Sequence, residues 1–434
     1  MKIWRLKRGG DRRLRQGHPW VFASELAHSA KEIEPGGLVQ LHDDKDHFLA
    51  FGYGHPTSQI CFRKLSGNAK EKDVGSVEFF VRRLARARAL RALSGWTAFS
   101  HRWLFGEGDG VPGLIVDLFK RGESSGSAGA TSSSGADRGS SGWIAVVQAS
   151  TAGADRMLPQ VFEALKAFEQ ELGGNSAPLT IIEAPSSRSR AIEGLAITEK
   201  RIISGPPVAR EQLLLRDGVK MSADMIGGQK TGFFLDQQWN VGLLKGLLPT
   251  QVAASEGRPL RILDICCYVG QWGTHLAQAA GGKAEVVLLD TSEAALEMAT
   301  ANVGAYASKV TAICTDVMQS LGAQQPESFD VVVCDPPAFV KKRADLEAGL
   351  RAYVKLNREA LRLVRPGGLL LSSSCSGLVK SADFNKALGE ACGKAGRAFQ
   401  QILNGGHAPD HPVRPDFPEG EYLKAVIGRV DYPV

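Results

Sequence analysis

Four aspartates and one cysteine stand where apolar runs of the chain give way to polar residues, and these residue types at those places can do chemistry. Asp264 lies in Ile262-Leu263-Asp264-Ile265, Asp290 closes Ala284-Glu285-Val286-Val287-Leu288-Leu289-Asp290, and Asp316 follows Cys314-Thr315 where the next strand should end. A carboxylate at a strand end accepts hydrogen bonds from both hydroxyls of a ribose. Asp290 stands twenty residues beyond Gly270, in a Gly270-Gln271-Trp272-Gly273 turn that opens a helix. This is not the dinucleotide glycine pattern, and a plain tight turn explains the two glycines as readily. Three acids at successive strand ends nevertheless favour an adenosine-containing ligand, with Asp316 bordering the adenine. Asp335 opens Asp335-Pro336-Pro337, whose prolines hold the backbone extended directly after a buried strand. Cys375 sits in Ser372-Ser373-Ser374-Cys375-Ser376-Gly377, a thiol among serines at a strand terminus, and a thiolate is a nucleophile. If those two strands are neighbours, Cys375 and Asp335 face one cavity.

The elements that must position these groups follow from the apolar patterns. From about residue 206 onward, near-continuous apolar runs alternate with helical patterns, the signature of a parallel sheet covered on both faces. Such a doubly wound fold binds ligands at the carboxyl ends of its strands. Residues 1–70 alternate apolar and polar positions between Gly and Pro punctuation and predict a compact β-rich module. Over 71–98, Val77, Phe80, Val81, Leu84, Leu90 and Leu93 recur at helical spacing among arginines, predicting a basic helix that links two domains. Residues 99–205 read as a small α+β unit, with a helix over 153–172 and a strand over 179–183. The Gly/Ser-rich stretch 122–142 within it reads as a flexible insertion.

Charge narrows the partners. The net charge of the chain is +6, yet residues 1–100 alone carry 18 basic and 10 acidic side chains. Positive potential gathers in Lys2, Arg5, Lys7, Arg8, Arg12, Arg13 and Arg15 and again in Arg82, Arg83, Arg86, Arg88 and Arg91, a distribution suited to a polyanion. Trp4, Trp20 and Phe22 interleave with the first run, where bases can stack while arginines hold phosphates. Lys341, Lys342 and Arg343 follow the Pro-Pro turn closely enough to hold phosphates too, although a solvated run reads equally well. No apolar stretch is long enough for a membrane helix and no signal core follows the basic start, so a cytoplasmic protein is expected. Seven cysteines without a C-x-x-C pair argue against a disulfide framework or a zinc ribbon. Prolines at 409 and 412 break any helix through His407 and His411, so loop contacts are expected there and no metal.

At these residues the chain resembles the RlmI-like family of class I S-adenosylmethionine-dependent methyltransferases, which act on cytosine C5 of large-subunit ribosomal RNA. The resemblance spans nearly the whole chain. It rests on a PUA-like start in Arg12-Arg13-Leu14-Arg15-Gln16-Gly17-His18-Pro19-Trp20-Val21-Phe22, a middle domain from Phe105-Gly106-Glu107-Gly108-Asp109, and a catalytic domain. The last carries Gly228-Gln229-Lys230-Thr231-Gly232-Phe233-Phe234-Leu235-Asp236-Gln237, Asp335-Pro336-Pro337, Ser374-Cys375-Ser376 and Asp410-His411-Pro412. It implies an α/β fold with a Rossmann-like doubly wound sheet, an N-terminal PUA-like domain, S-adenosylmethionine as donor and ribosomal RNA as partner. It places Asp264 and Gly270 near the methionine end, Asp290 on the ribose, Asp316 near the adenine and Asp335 where cofactor meets base, with Tyr268 also binding the cofactor. Cys375 falls at the nucleophile, and Phe233 with Asp236 reads as a cofactor lid. Lys7, Arg8, Arg12, Arg13, Arg15 and Trp20 are the expected RNA contacts, with a homodimer as an option and no membrane. The chain departs from the family at Gln238, where an arginine is frequent. Two other readings stand beside this one: methylation of another base position, such as an exocyclic amine or a guanine, and an RNA-binding assembly factor whose methyltransferase-like domain is silent.

Overall fold

The structure is a computed structural model describing residues 1–28, 33–122, 142–173, 178–185 and 189–433, so the expected insertion 122–142 lies, apart from its two end residues, outside the described residues. By internal contacts the chain forms two compact units. The first holds Met1–Arg216, Ala223–Leu235 and Pro409–Gly420; the second holds Asp217–Ser222, Asp236–Ala408 and Glu421–Val434. The range 206–434, read from sequence as one domain, thus contributes three segments, 206–216, 223–235 and 409–420, to the first unit.

The first unit contains two five-stranded sheets. In the N-terminal one, β1 (Lys2–Arg5), β2 (Trp20–Phe22), β3 (Leu38–His42), β4 (Phe48–Gly54) and β5 (Ile60–Ser66) follow the order β1-β3-β4-β5-β2. Alternation puts Trp4, Leu6, Val21, Val39, Leu41 and Phe62 into one core. The second sheet is built from β6 (His101–Phe105), β7 (Leu114–Lys120), β8 (Trp143–Ala149), β9 (Leu179–Glu183) and β10 (Arg201–Ser204) in the order β10-β9-β8-β7-β6.

The helix Val77–Leu93 does more than link domains. Its Phe79, Phe80, Leu84 and Ala87 enter the same core as Trp103, Leu104 and Val116 of the second sheet and Phe51, Tyr53 and Leu65 of the first. The expected apolar face is rotated at its end: Leu90 is 41% and Leu93 87% exposed, while Arg91 is fully buried. The cause is charge pairing, for the Arg91 guanidinium forks onto Asp109 at 2.7 and 2.8 Å and donates to the Asp410 carbonyl at 2.7 Å. The single helix expected over 153–172 is three pieces, Ala152–Arg156, Leu158–Lys166 and Glu169–Leu172, with Pro159 in the first turn of the second. A proline there has no N–H to continue the preceding helix.

Two short strands, β11 (Arg210–Leu214) and β12 (Lys220–Asp224), precede the large sheet of the second unit. That sheet comprises β13 (Leu260–Ile265), β14 (Ala284–Asp290), β15 (Lys309–Cys314), β16 (Phe329–Cys334), β17 (Val364–Ser374), β18 (Ala398–Gly405) and β19 (Lys424–Asp431), in the order β15-β14-β13-β16-β17-β19-β18. The pairs from β15 through β17 are parallel, and β19 runs antiparallel to both β17 and β18. Buried side chains cover both faces, with Tyr353, Leu361, Phe384 and Leu388 on one and Val241, Trp272, Leu276 and Ala299 on the other. The chain leaves β13 toward β14 on one side and reaches β16 on the other, so the carboxyl ends of β13 and β16 flank the switch point where such folds bind ligands.

Candidate active site

Asp264 lies next to the last residue of β13 and is fully buried. Its Oδ2 accepts from the Gly273 N–H at 2.9 Å, and its Oδ1 has no hydrogen-bond partner. Burial, reinforced by Asp335 and Asp290, pushes its carboxyl up to about 7. The turn that follows is strained, with positive φ at Cys266 (62°), Tyr268 (49°) and Gly270 (79°). Gly270 fits for two reasons: the left-handed backbone, and the space, since a Cβ there would lie 3.0 Å from Val303 Cγ2 and 3.1 Å from Ala299 Cβ. Asp290, half-buried at the end of β14, holds this turn by accepting from the Tyr268 N–H at 2.9 Å and also accepts from the Ser292 N–H at 3.0 Å. A carboxylate offers about four lone-pair positions, so acceptor capacity remains. The thiols of Cys266, Cys267 and Cys334 are raised by burial, which keeps them neutral.

One strand over, Asp335 is the hub of a hydrogen-bonded shell. Its Oδ1 accepts from Gln237 Nε2 at 2.9 Å and from the Ser373 hydroxyl, and its Oδ2 accepts from the Trp272 indole N–H at 3.0 Å. Burial raises this carboxyl despite the three donors, with Asp236 adding to the effect. Because Cys334 pairs with Ser372 across β16 and β17, the residues that follow emerge side by side, and the Cys375 thiol lies 3.9 Å from the Pro336 carbonyl. Behind it, the Tyr353 hydroxyl accepts from Ser374 Oγ at 2.8 Å and meets Ser376 Oγ at 3.0 Å. Asp236 accepts from the Tyr422 hydroxyl at 2.6 Å. Gln237, Trp272, Ser373, Tyr353 and Lys424 surround the expected residues and were not singled out from sequence. Gln237, Trp272 and Ser373 stood inside quoted motifs, whereas Tyr353 and Lys424 carried no signal.

Most of the other expected residues have partners of their own. Asp316 is exposed and caps the helix Val317–Ser320, accepting from the Met318 N–H at 2.9 Å and from Gln319 Nε2 at 3.0 Å. Phe233 is 2% exposed and belongs to the first unit. Trp20 is no open stacking platform: its indole N–H donates to Glu107 at 2.8 Å and its ring packs edge-on against Phe417 at 4.7 Å. Within the first basic run, Lys7 donates to the Ser24 carbonyl at 2.9 Å, Arg13 lies over Phe22, and Arg15 pairs with Asp11 and Asp43. Arg8 and Arg12 are exposed and, among the described residues, show no ion pair. The second run is largely neutralised, with Arg82 and Arg83 on Glu71, Arg88 on Glu171 and Arg91 on Asp109. His407 accepts from the Tyr422 and Leu423 N–H groups, and His411 pairs with Asp410, the loop contacts expected of them.

Comparison with known proteins places this geometry in a family. A PUA-like domain model matches residues 5–67, and a methyltransferase domain model matches residues 262–368. The Ribosomal RNA large subunit methyltransferase I of Photobacterium profundum is 32% identical over 429 residues, covering 96% of this chain and 97% of that protein. The chain belongs to this family. The Ribosomal RNA large subunit methyltransferase of Deinococcus radiodurans is likewise 32% identical, over 440 residues and 98% of this chain. Among solved structures, a Streptococcus mutans protein assigned as a SAM-dependent methyltransferase aligns with 99% of this chain and all of its own at a TM-score of 0.73 and 16% identity, and shares the fold. A second solved chain, assigned as a methyltransferase and complexed with SAH, has a TM-score of 0.74 and 16% identity over 99% of this chain.

Members of this family use S-adenosylmethionine, and the residues at the switch point fit it. The free Oδ1 of Asp264 is a buried acceptor without a donor, and the glycine at position 270 keeps the turn narrow. Among the described residues, no helix is long and apolar enough to cross a membrane.

Proposed function

We propose that the protein methylates carbon 5 of a cytosine in large-subunit ribosomal RNA, with Cys375 as nucleophile, Asp335 beside it, and Asp264, Tyr268, Gly270 and Asp290 holding S-adenosylmethionine. The relatives' names supply the RNA class. The observation that carries the rest is the thiol of Cys375 beside the Asp335-Pro336 turn, at the carboxyl edge of adjacent parallel strands. Bound S-adenosylmethionine supplies an electrophilic methyl group. Carbon 5 of cytosine is a poor nucleophile until the Cys375 thiolate bonds to carbon 6 and makes the ring enamine-like. After carbon 5 has taken the methyl group, its proton passes to water, the C–H electron pair re-forms the carbon 5–carbon 6 double bond and the S–C6 pair leaves with sulfur, which restores the ring and the thiolate. Asp335, raised by burial, is suited to share a proton with ring N3 as charge develops there.

An exocyclic-amine methyltransferase would need an aromatic ring free to stack on the base after the Pro-Pro turn. Here Phe339 packs against Tyr353 with ring centroids 4.8 Å apart, and that chemistry leaves Cys375 without a task. The test is Cys375→Ala. Binding of S-adenosylmethionine by calorimetry should change little, while methyl transfer to ribosomal RNA falls by at least roughly a thousandfold. Turnover that persists in the variant, or a product whose methyl group mass spectrometry locates off carbon 5, overturns the proposal.

A further inference from the structure

A cysteine nucleophile reacts as its thiolate, and an unperturbed thiol has a pKa near ~8.5, so its surroundings must favour the anion. Strand β19 supplies a cation at the right place. Lys424 is paired directly with Ser374 across the antiparallel β17–β19 ladder, one residue before Cys375. The side chain is 7% exposed. Its ammonium donates to the Ser376 carbonyl at 2.6 Å and to the Tyr422 carbonyl at 2.8 Å, which pins it against the peptide that follows Cys375. Among the described residues Lys424 has no carboxylate within ion-pair distance. A buried ammonium held by two carbonyls and no anion is costly unless something else balances it.

Resting on the nucleophile reading above, we propose that Lys424 is a positioning residue that holds the Cys375 sulfur as a thiolate, the thiol proton having passed to bulk water. Burial lowers the lysine itself to about 8, and of the groups that push it back up the Cys375 sulfur acts first, ahead of Glu421, while Lys380 acts in the opposite sense. From the neighbouring helix Leu346–Leu363, Tyr353 also senses the sulfur, which helps to raise the tyrosine, and Asp335 stands one residue from the Pro336 carbonyl that the thiol meets. Lysine and thiol therefore titrate as a coupled pair in which each favours the charged form of the other.

The experiment is the pH dependence of Cys375 alkylation by iodoacetamide, in which the sulfur displaces iodide. It is followed on the Cys375 peptide by mass spectrometry, in the full chain without RNA or donor. Wild-type protein should reach half its limiting rate below the ~8.5 of a free thiol. Lys424→Met should move that midpoint up by a unit or more, a loss of about tenfold in rate near neutral pH, and Lys424→Arg should restore most of it. A wild-type midpoint at or above that of a free thiol overturns the inference whether or not the Met variant folds. So does an unchanged midpoint in a Lys424→Met protein with native circular dichroism. Turnover by Cys375→Ala would sink the nucleophile reading alone, since the alkylation profile would still report on Lys424.

Discussion

Asp264 shows how one buried carboxyl makes stability depend on pH. Between the ordinary aspartate value of 3.8 and about 7 the folded protein keeps a proton on Asp264 that the unfolded chain has lost. Folding therefore takes up a proton in that window, and the group's contribution to stability falls as pH rises through it. Asp264→Asn keeps an oxygen for the Gly273 N–H and removes the titration. Relative to the parent, the variant should gain stability between about pH 4 and about pH 8, by up to roughly 4 kcal/mol, in urea unfolding without ligand. Parallel pH profiles for the two proteins would show that the carboxyl stays ionised in the fold. Asp335 differs in kind, for three donors converge on it from Gln237, Trp272 and Ser373. Those donors come from a loop and two other elements, so their shared target was invisible in the sequence, where only the Asp-Pro-Pro spacing could be read.

Among the elements, the turn between β13 and the helix Gln271–Ala279 is the most exacting. Three left-handed residues in five leave little tolerance, and the space at Gly270 is closed by Ala299 and Val303 of the helix Glu293–Gly304. Gly270→Ala should cost about 1–3 kcal/mol of stability from the φ strain and the close contacts. It should also weaken donor binding, read as a lower melting temperature and a smaller calorimetric affinity. A variant matching wild type on both would mean the turn relaxes freely. The helix Val77–Leu93 shows the opposite balance between local and distant terms. Its spacing of apolar residues announced a helix correctly, yet which face is buried toward its end depends on Asp109 and Asp410, 18 and 319 residues away from Arg91.

Over the whole molecule, the concentration of positive charge in the first hundred residues is partly an internal matter. Arg82, Arg83, Arg88 and Arg91 answer acids of the same unit, whereas Arg8 and Arg12 remain exposed. If ribosomal RNA is the partner, Arg8→Ala and Arg12→Ala should each reduce the salt dependence of binding, the slope of log K against log salt, by about 0.7–0.9. Arg82→Ala should leave it unchanged. Fluorescence anisotropy with a ribosomal RNA fragment across a salt series reads both, and an equal loss from Arg82→Ala would mean that its ion pairs open to the RNA.

What the sequence by itself determined is whatever local pattern encodes: the apolar runs of β13, β14, β16 and β17, their polar ends, the helix spacing and the identity of Asp264, Asp290, Asp335 and Cys375. Those features depend on side-chain periodicity and on where a strand must stop, and neighbouring residues specify both. The tertiary structure alone decided which strand ends meet. The crossover to β16 sets Asp335 beside the Ser373–Cys375 segment, and the reversed β19 brings in Lys424 from 49 residues beyond the thiol. Strand order is chosen by packing both faces of the sheet together, an energy summed over distant residues, and no window of sequence contains it.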